Sequence, residues 1–239
     1  MSELEAGRFD AERAAHYDDH IRRVSPGYEV LHDHIADLLT GTLGPSAHIL
    51  VVGAGTGAEV ERLGRAAPGW TFTAVDPSAD MLAVCADRAD RAGLGERVRC
   101  LEGTVETVDA AGPFDAATSI CVAHFALESD VRAGYFQAIA ERLRPGAPFV
   151  QADLFRPASD AAFERLWAAW QRALDRAGVP EDEADAFFGR VEQQVHLADE
   201  ETLARETAAA GFGPCVRFHQ ALLWGGWIAE RLAGEAVAG

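Results

Sequence analysis

Ile49-Leu50-Val51-Val52 runs directly into Gly53-Ala54-Gly55-Thr56-Gly57, after which Val60, Leu63 and Ala67 recur at helical spacing until Pro68-Gly69. An uninterrupted apolar run of this length reads as a strand buried on both faces. The glycines that follow let backbone approach a ligand with no side chain in the way. The i, i+3, i+7 spacing then reads as one face of a helix. Strand, glycine turn and helix together open a parallel sheet wrapped by helices.

Outward from that unit the pattern repeats. Trp70 to Val75 reads as a second strand, and Ser78 as the cap of a helix carrying Met81, Leu82 and Cys85. Val98 to Leu101 is a third strand and Phe114 to Val122 a fourth. Val131, Tyr135, Ala138, Ile139 and Arg142 mark one side of the next helix, which Pro145-Gly146 stops before a fifth strand, Phe149 to Leu154. Between Ala158 and Gln194 strand signals cease, and Phe163, Leu166, Trp167, Trp170 and Leu174 form an amphipathic stripe, a helical insertion. A last helix starts near Asp199 and ends at Gly211-Phe212, and Val216 to Trp227 supplies two final strands.

The fold class is therefore α/β: a Rossmann-like, doubly wound, mostly parallel seven-stranded sheet with an antiparallel C-terminal hairpin. One domain spans 1–239. Residues 1–45 form an N-terminal helical cover, 46–154 a cofactor-binding core, 155–198 the helical insertion, and 199–239 the last helix and edge hairpin.

Composition narrows the partners. With 38 acidic against 21 basic residues the net charge is −17, so the long-range field repels polyanions and nucleic acid is not expected. Cys85, Cys100, Cys121 and Cys215 are far apart with no C-x-x-C pair and read as reduced thiols. The N-terminus, Met1-Ser2-Glu3-Leu4-Glu5, is acidic without an apolar leader, and no apolar run approaches membrane-spanning length, which predicts a cytoplasmic protein that binds no membrane.

The second strand ends at Asp76, about one β-α-β step beyond the glycines, where a carboxylate can accept both hydroxyls of a ribose. An acid beside Pro77 and Ser78 also suits a helix N-terminus, but its position at a strand's carboxyl end favours a ligand. Because Gly53-x-Gly55-x-x-Ala58 also fits the dinucleotide pattern, the glycines alone leave two cofactors open.

Three further features separate them: Gly103-Thr104-Val105-Glu106 after the third strand, Phe114-Asp115-Ala116 at the start of the fourth, and Leu143-Arg144-Pro145-Gly146 before the fifth. In order and spacing these resemble the class I S-adenosylmethionine-dependent methyltransferases, over roughly Arg8 to Arg231. The resemblance implies S-adenosyl-L-methionine as cofactor, with Gly53, Ala54, Gly55 and Gly57 under its methionine part and Asp76 on its ribose. Pro77 and Met81 would flank the adenine, although Met81 on an apolar helix face also reads as core. Thr104 and Val105 would meet the adenine edge, and Ile120 with Cys121 would line the pocket near the sulfonium. The chain departs from the family at Val51. An acid usually stands there, so its contribution near the methionine end is missing or supplied elsewhere.

Phe9-Asp10 to His20 and Arg22-Arg23-Val24-Ser25-Pro26-Gly27-Tyr28 precede the first strand where such enzymes carry a cover, making Tyr17 and Tyr28 candidates there. Arg followed by Pro-Gly-Tyr and a helix, with the aromatic hairpin after Gly211-Phe212, is also similar to the tRNA wobble-uridine carboxymethyltransferase branch. In that branch a cation must neutralise the transferred carboxylate, and Arg190 is its candidate here. Glu181, Asp182, Glu183, Asp185 and Glu192 around it make a solvated surface arginine the competing reading.

Methyl transfer from a sulfonium is an in-line displacement in which positioning and desolvation supply much of the catalysis. For a hydroxyl or ammonium acceptor a base helps, and His124, just past the fourth strand, is the candidate, against a packing histidine. His16, His20 and Asp153 are weaker candidates, Asp153 as an acceptor-site residue. Trp167, with Phe163 and Trp170, either lines an acceptor pocket or is core. His32 and His34 lie two apart on a helix and face different ways, so no metal is expected. The predicted function is methyl transfer to a small-molecule acceptor, with a homodimer as the assembly considered. The alternatives are carboxymethyl transfer to a tRNA wobble base, a nicotinamide-dependent oxidoreductase, which lacks any Tyr-x-x-x-Lys pair in a chain without lysine, and a non-catalytic adenosine-cofactor binder.

Overall fold

The computed structural model describes residues 11–110 and 112–233, so Phe9 and Asp10 of the expected cover lie outside the described residues. Two helices, α1 (Ala11–Val24) and α2 (Tyr28–Thr42), lead into β1 (His48–Val52), α3 (Ala58–Ala66), β2 (Thr71–Asp76), α4 (Ala79–Arg91), β3 (Val98–Glu102) and β4 (Ala116–Ile120). Then follow α5 (Ser129–Arg142), β5 (Pro148–Leu154), α6 (Asp160–Arg176), α7 (Glu181–Gln194), α8 (Glu200–Ala209), β6 (Val216–Ala221) and β7 (Trp224–Glu230). The strands form one sheet in the order β3-β2-β1-β4-β5-β7-β6. β1 to β5 are mutually parallel, and β7 runs antiparallel to both β5 and β6.

That order settles a question the glycines left open. The dinucleotide-binding sheet runs 3-2-1-4-5-6, all parallel. Here an antiparallel strand is inserted between β5 and β6, so the architecture is not that of the nicotinamide enzymes.

The two faces of the sheet bury separate cores. Ile49, Val51, Ala74 and Val150 pack under α2 and α3 with Leu31, Ile35 and Leu63. Leu50, Val52, Ala117 and Phe149 point the other way, against Phe136, Ile139 and Phe212. The strict alternation along β1 follows from the two-residue period of a strand, and covering both faces is why all four residues are apolar. A third cluster joins the insertion to the cover. Trp170 on α6 is fully buried among Phe188, Leu174, Val24 and Trp224, and its indole N–H donates to the carbonyl of Val24 at 2.7 Å.

Two helix starts follow the capping chemistry read from sequence. Ser78 accepts from the Met81 N–H and Asp199 from Thr202, and Ser159 caps α6 in the same way by accepting from Ala162. Three expectations need correction. β4 is shorter than Phe114 to Val122, because Phe114 makes only an isolated bridge to Leu143 and Cys121 turns the chain with φ of 61°. The hairpin continues to Glu230, where β7 keeps its register with Pro148 at the start of β5. On α5, Val131 is 40% exposed, and Arg132 instead of Val131 is buried with Tyr135 and Ile139.

Candidate functional site

The residues expected to hold a cofactor gather at the carboxyl ends of β1 to β4. Gly53 and Ala54 donate their N–H groups to the carbonyl of Val75 at 2.8 and 3.0 Å, which stitches the glycine loop to β2. Gly55 has φ of +51°, and a Cβ built there would meet nothing within 4 Å, so the loop offers bare backbone to open space. Gly57, at φ of +78°, is required for a different reason: a Cβ would lie 2.6 Å from the sulfur of Cys85 on α4. One glycine thus faces a ligand and the other seats a helix.

Asp76 ends β2 and is buried. Its Oδ2 accepts from the Gly55 N–H and its Oδ1 from the Ser78 N–H, each at 2.9 Å. Burial pushes its pKa up, while those two N–H groups pull the other way. A carboxylate has about four acceptor sites, so each oxygen keeps room for one further donor, as a ribose diol requires. Pro77 is half-buried and Met81 fully so on α4. Thr104 and Val105 follow β3 beside this carboxylate, where the Gly103 N–H donates to the Asp76 carbonyl. Open space over Gly55, a positioned carboxylate and flanking apolar surface fit an adenosine-type cofactor.

Past β4 lies a second compartment. Cys121, in the left-handed region, redirects the chain into a short 3₁₀ turn, Ala123–Phe125, that carries His124. Asp153, next to last in β5, sets one carboxylate oxygen 2.8 Å from His124 Nδ1, an ion-pair distance without hydrogen-bond alignment, and also accepts from the His124 backbone N–H at 3.4 Å. Both side chains are buried. The turn is held from behind by Arg132, which donates to the carbonyls of Ala126 and Leu127 and pairs bidentately with Glu206 on α8. His124 opens on a cavity of about 720 Å³, its open mouth included, walled by Tyr17, Cys121, Phe125, Phe187, Arg190 and Trp224 among others. Its mostly apolar lining suits a small organic molecule.

The structure brings most of the named candidates together, and Trp167, Tyr28 and His16 stand outside the cavity. Trp167 does not line the cavity. It stands behind the wall in an aromatic stack, 4.9 Å from Phe188 and 5.9 Å from Trp170 between ring centroids. Arg190 does line it, and among the described residues no carboxylate pairs with Arg190, because Glu183 is engaged by His20 and Arg23. His20 is on the cavity wall, while His16 is exposed on the outer rim. Tyr28 lies apart from this cavity, edge-on to His32 at 4.5 Å, with burial raising its pKa. Sequence reasoning named His124 and Asp153 separately and missed that they pair. It also missed Phe187 and Trp224, which chain separation hides, and Asp18, whose carboxylate accepts from Thr56 Oγ1 at 2.6 Å and pairs with Arg88.

Among the described residues no group of three His, Cys, Asp or Glu side chains stands close enough to hold a metal, and no helix is long and apolar enough to cross a membrane.

Residues 49–146 match a family model described as a methyltransferase domain. No curated protein matches the chain in sequence. Among solved structures, the fold is similar to an O-methyltransferase family 2 protein from Planctomyces limnophilus in complex with apigenin, at 16% identity and a TM-score of 0.64, covering 97% of this chain and 62% of that one. It is similar to human N-acetylserotonin methyltransferase in complex with S-adenosylmethionine, at 13% identity and a TM-score of 0.66, covering 97% and 60%. An O-methyltransferase family protein from Burkholderia thailandensis gives 15% identity, a TM-score of 0.66 and coverage of 95% and 61%. The chain thus spans about three fifths of the length of these proteins.

Proposed function

We propose that the methyltransferase domain matched at residues 49–146 is of the class I, S-adenosylmethionine-dependent kind and that the chain methylates a hydroxyl on a small, flat organic acceptor. One observation carries the acceptor reading: the buried His124–Asp153 pair opens on an aromatic cavity that shares Cys121 with the end of β4, next to the cofactor cleft. The resemblance to O-methyltransferases, one of them in complex with apigenin, supports the same class. Four free thiols suit a reducing, cytoplasmic setting.

Bound S-adenosylmethionine supplies an activated methyl group on a good leaving group. The glycine loop would lie under its methionine part and Asp76 would hold its ribose, with Ile120 and Cys121 lining the pocket near the sulfonium. Phe125, Phe187 and Trp224 exclude water and hold an aromatic acceptor flat. With Nδ1 turned to Asp153, His124 keeps Nε2 to accept the acceptor's hydroxyl proton, and the Asp153 carboxylate stabilises the imidazolium that forms.

The test is a panel of phenols, amines and carboxylic acids incubated with methyl-labelled cofactor. Turnover confined to hydroxyl acceptors, lost in His124→Gln with cofactor affinity retained, is the expected result. Tight cofactor binding with no turnover of any acceptor moves the reading to a binding protein. A second reading, carboxymethyl transfer, draws on Arg190 standing in the cavity wall without a carboxylate partner among the described residues. Preference for the carboxylated cofactor that Arg190→Ala abolishes establishes that reading, and no preference dismisses it.

A further inference from the structure

Glu59 is the second residue of α3, one turn past the glycine loop, and only 6% of it is exposed. An ionised carboxylate is almost never buried without a cation. Yet no arginine or histidine pairs with Glu59 among the described residues, and its Oε1 has no hydrogen-bond partner. The positive end of α3 favours an acid in this turn by under ~1 kcal/mol, which is too little to offset such burial. Burial drives the pKa of Glu59 up to about 7, and the Thr118 hydroxyl, the group that eases it down, is itself buried with no aligned hydrogen-bond partner.

The register of the sheet says where this carboxylate sits. Thr118 on β4 is paired with Val51 on β1, and paired residues of parallel strands project to the same face. Val51 packs in the core beneath α3, so Thr118 faces α3 too. Glu59 therefore brings its carboxylate over the β1–β4 seam beside position 51, directly below the glycine loop.

We propose that Glu59 binds the α-ammonium of the cofactor's methionine moiety, supplying from α3 the negative charge that β1, with Val51, does not. This rests on the S-adenosylmethionine reading. The cofactor carries two cationic centres, and the sulfonium must keep its methyl group open to the acceptor. The ammonium is the one that can be enclosed, and it brings three donors to a carboxylate that has an acceptor unfilled.

The experiment is calorimetric binding of two ligands: S-adenosylhomocysteine, and 5′-methylthioadenosine, which keeps the adenosine and thioether but has no amino-acid part. Glu59→Gln is expected to weaken S-adenosylhomocysteine on the order of 10- to 100-fold, the loss of one charge-assisted hydrogen-bonded contact, and to leave methylthioadenosine unchanged. Adding Val51→Asp to that variant is expected to restore much of the lost affinity. Unchanged S-adenosylhomocysteine binding in Glu59→Gln overturns the proposal. So does an equal loss for both ligands, which marks a structural role. If the wild-type chain binds neither ligand, the cofactor reading fails, and the proposal with it.

Discussion

The two halves of the site are built from different materials. The cofactor cleft is made mostly of backbone: three N–H groups of the glycine loop and its flank are spent on Val75 and Asp76, and its chief functional side chain is one carboxylate ending a strand. The acceptor cavity is made of side chains, apolar for the most part, contributed by α1, the turn after β4, α7 and β7. Backbone cannot be exchanged by substitution, so the first compartment is committed to one ligand chemistry. Side chains on helices can be, so the second is where a change of acceptor is to be sought.

The sharpest way to break this division is at His124. His124→Gln should lower kcat by about 10² to 10⁴-fold, the usual worth of a positioned base, with S-adenosylhomocysteine affinity unchanged by calorimetry. A matching loss of cofactor affinity means the two compartments are one. Asp76→Ala tests the other side. It should raise the dissociation constant of S-adenosylhomocysteine about 10- to 100-fold, as loss of charge-assisted hydrogen bonds to a ribose implies, and leave kcat at saturating cofactor within a few-fold.

A pH experiment refines the comparison within the cofactor half. Glu59 holds its proton to about pH 7 in the fold but releases it near the ordinary carboxylate pKa when unfolded. The folded state therefore binds the extra proton between those values, and its stability falls as pH rises through them. Apo protein should lose up to about 3 kcal/mol between pH 5 and pH 8 from this group, at about 1.4 kcal/mol per pKa unit. Glu59→Gln should remove that slope in denaturant melts. His32, lowered by burial to about 4, acts oppositely below its unfolded pKa and is common to both proteins, so their difference isolates Glu59. A slope that survives in Glu59→Gln assigns it elsewhere.

The smallest effect sharpens the boundary of the acceptor half. Phe187→Ala should raise the acceptor KM, since Phe187 is on the wall, whereas Trp167→Ala should leave KM within about two-fold because its ring stacks behind Phe188. Equal effects on KM would make the aromatic stack, and not the wall alone, the determinant of acceptor binding.

How much of this was legible in the sequence follows the same division. The cleft is written locally: Ile49 to Gly57, Asp76 and Ser78 each carry their role in their own neighbourhood, because strand, turn and cap are short-range structures. The cavity depends on contacts across more than a hundred residues. That Trp224 meets Tyr17 depends on β7 entering beside β5, and a strand order cannot be read from a pattern of periods. Trp167, read as either pocket wall or core, illustrates the limit. Its helical spacing was right and its helix is amphipathic, but spacing cannot tell which part of a buried stripe faces a hollow and which faces another ring. Glu59 was passed over because nothing in Gly57-Ala58-Glu59-Val60 marks a glutamate as buried until β4 is laid beside β1.

Asp18 has a kinetic consequence. From α1 it takes the Thr56 hydroxyl on the glycine loop and the Arg88 guanidinium on α4, tying the cover across the mouth of the cleft. A ligand bound under the loop is then behind a fastened door, and its exchange rate is bounded by how often those two bonds open together. Departure of the spent cofactor would then wait on that opening. Asp18→Ala should shorten the residence time of S-adenosylhomocysteine in stopped-flow displacement while scarcely altering the rate of a single turnover.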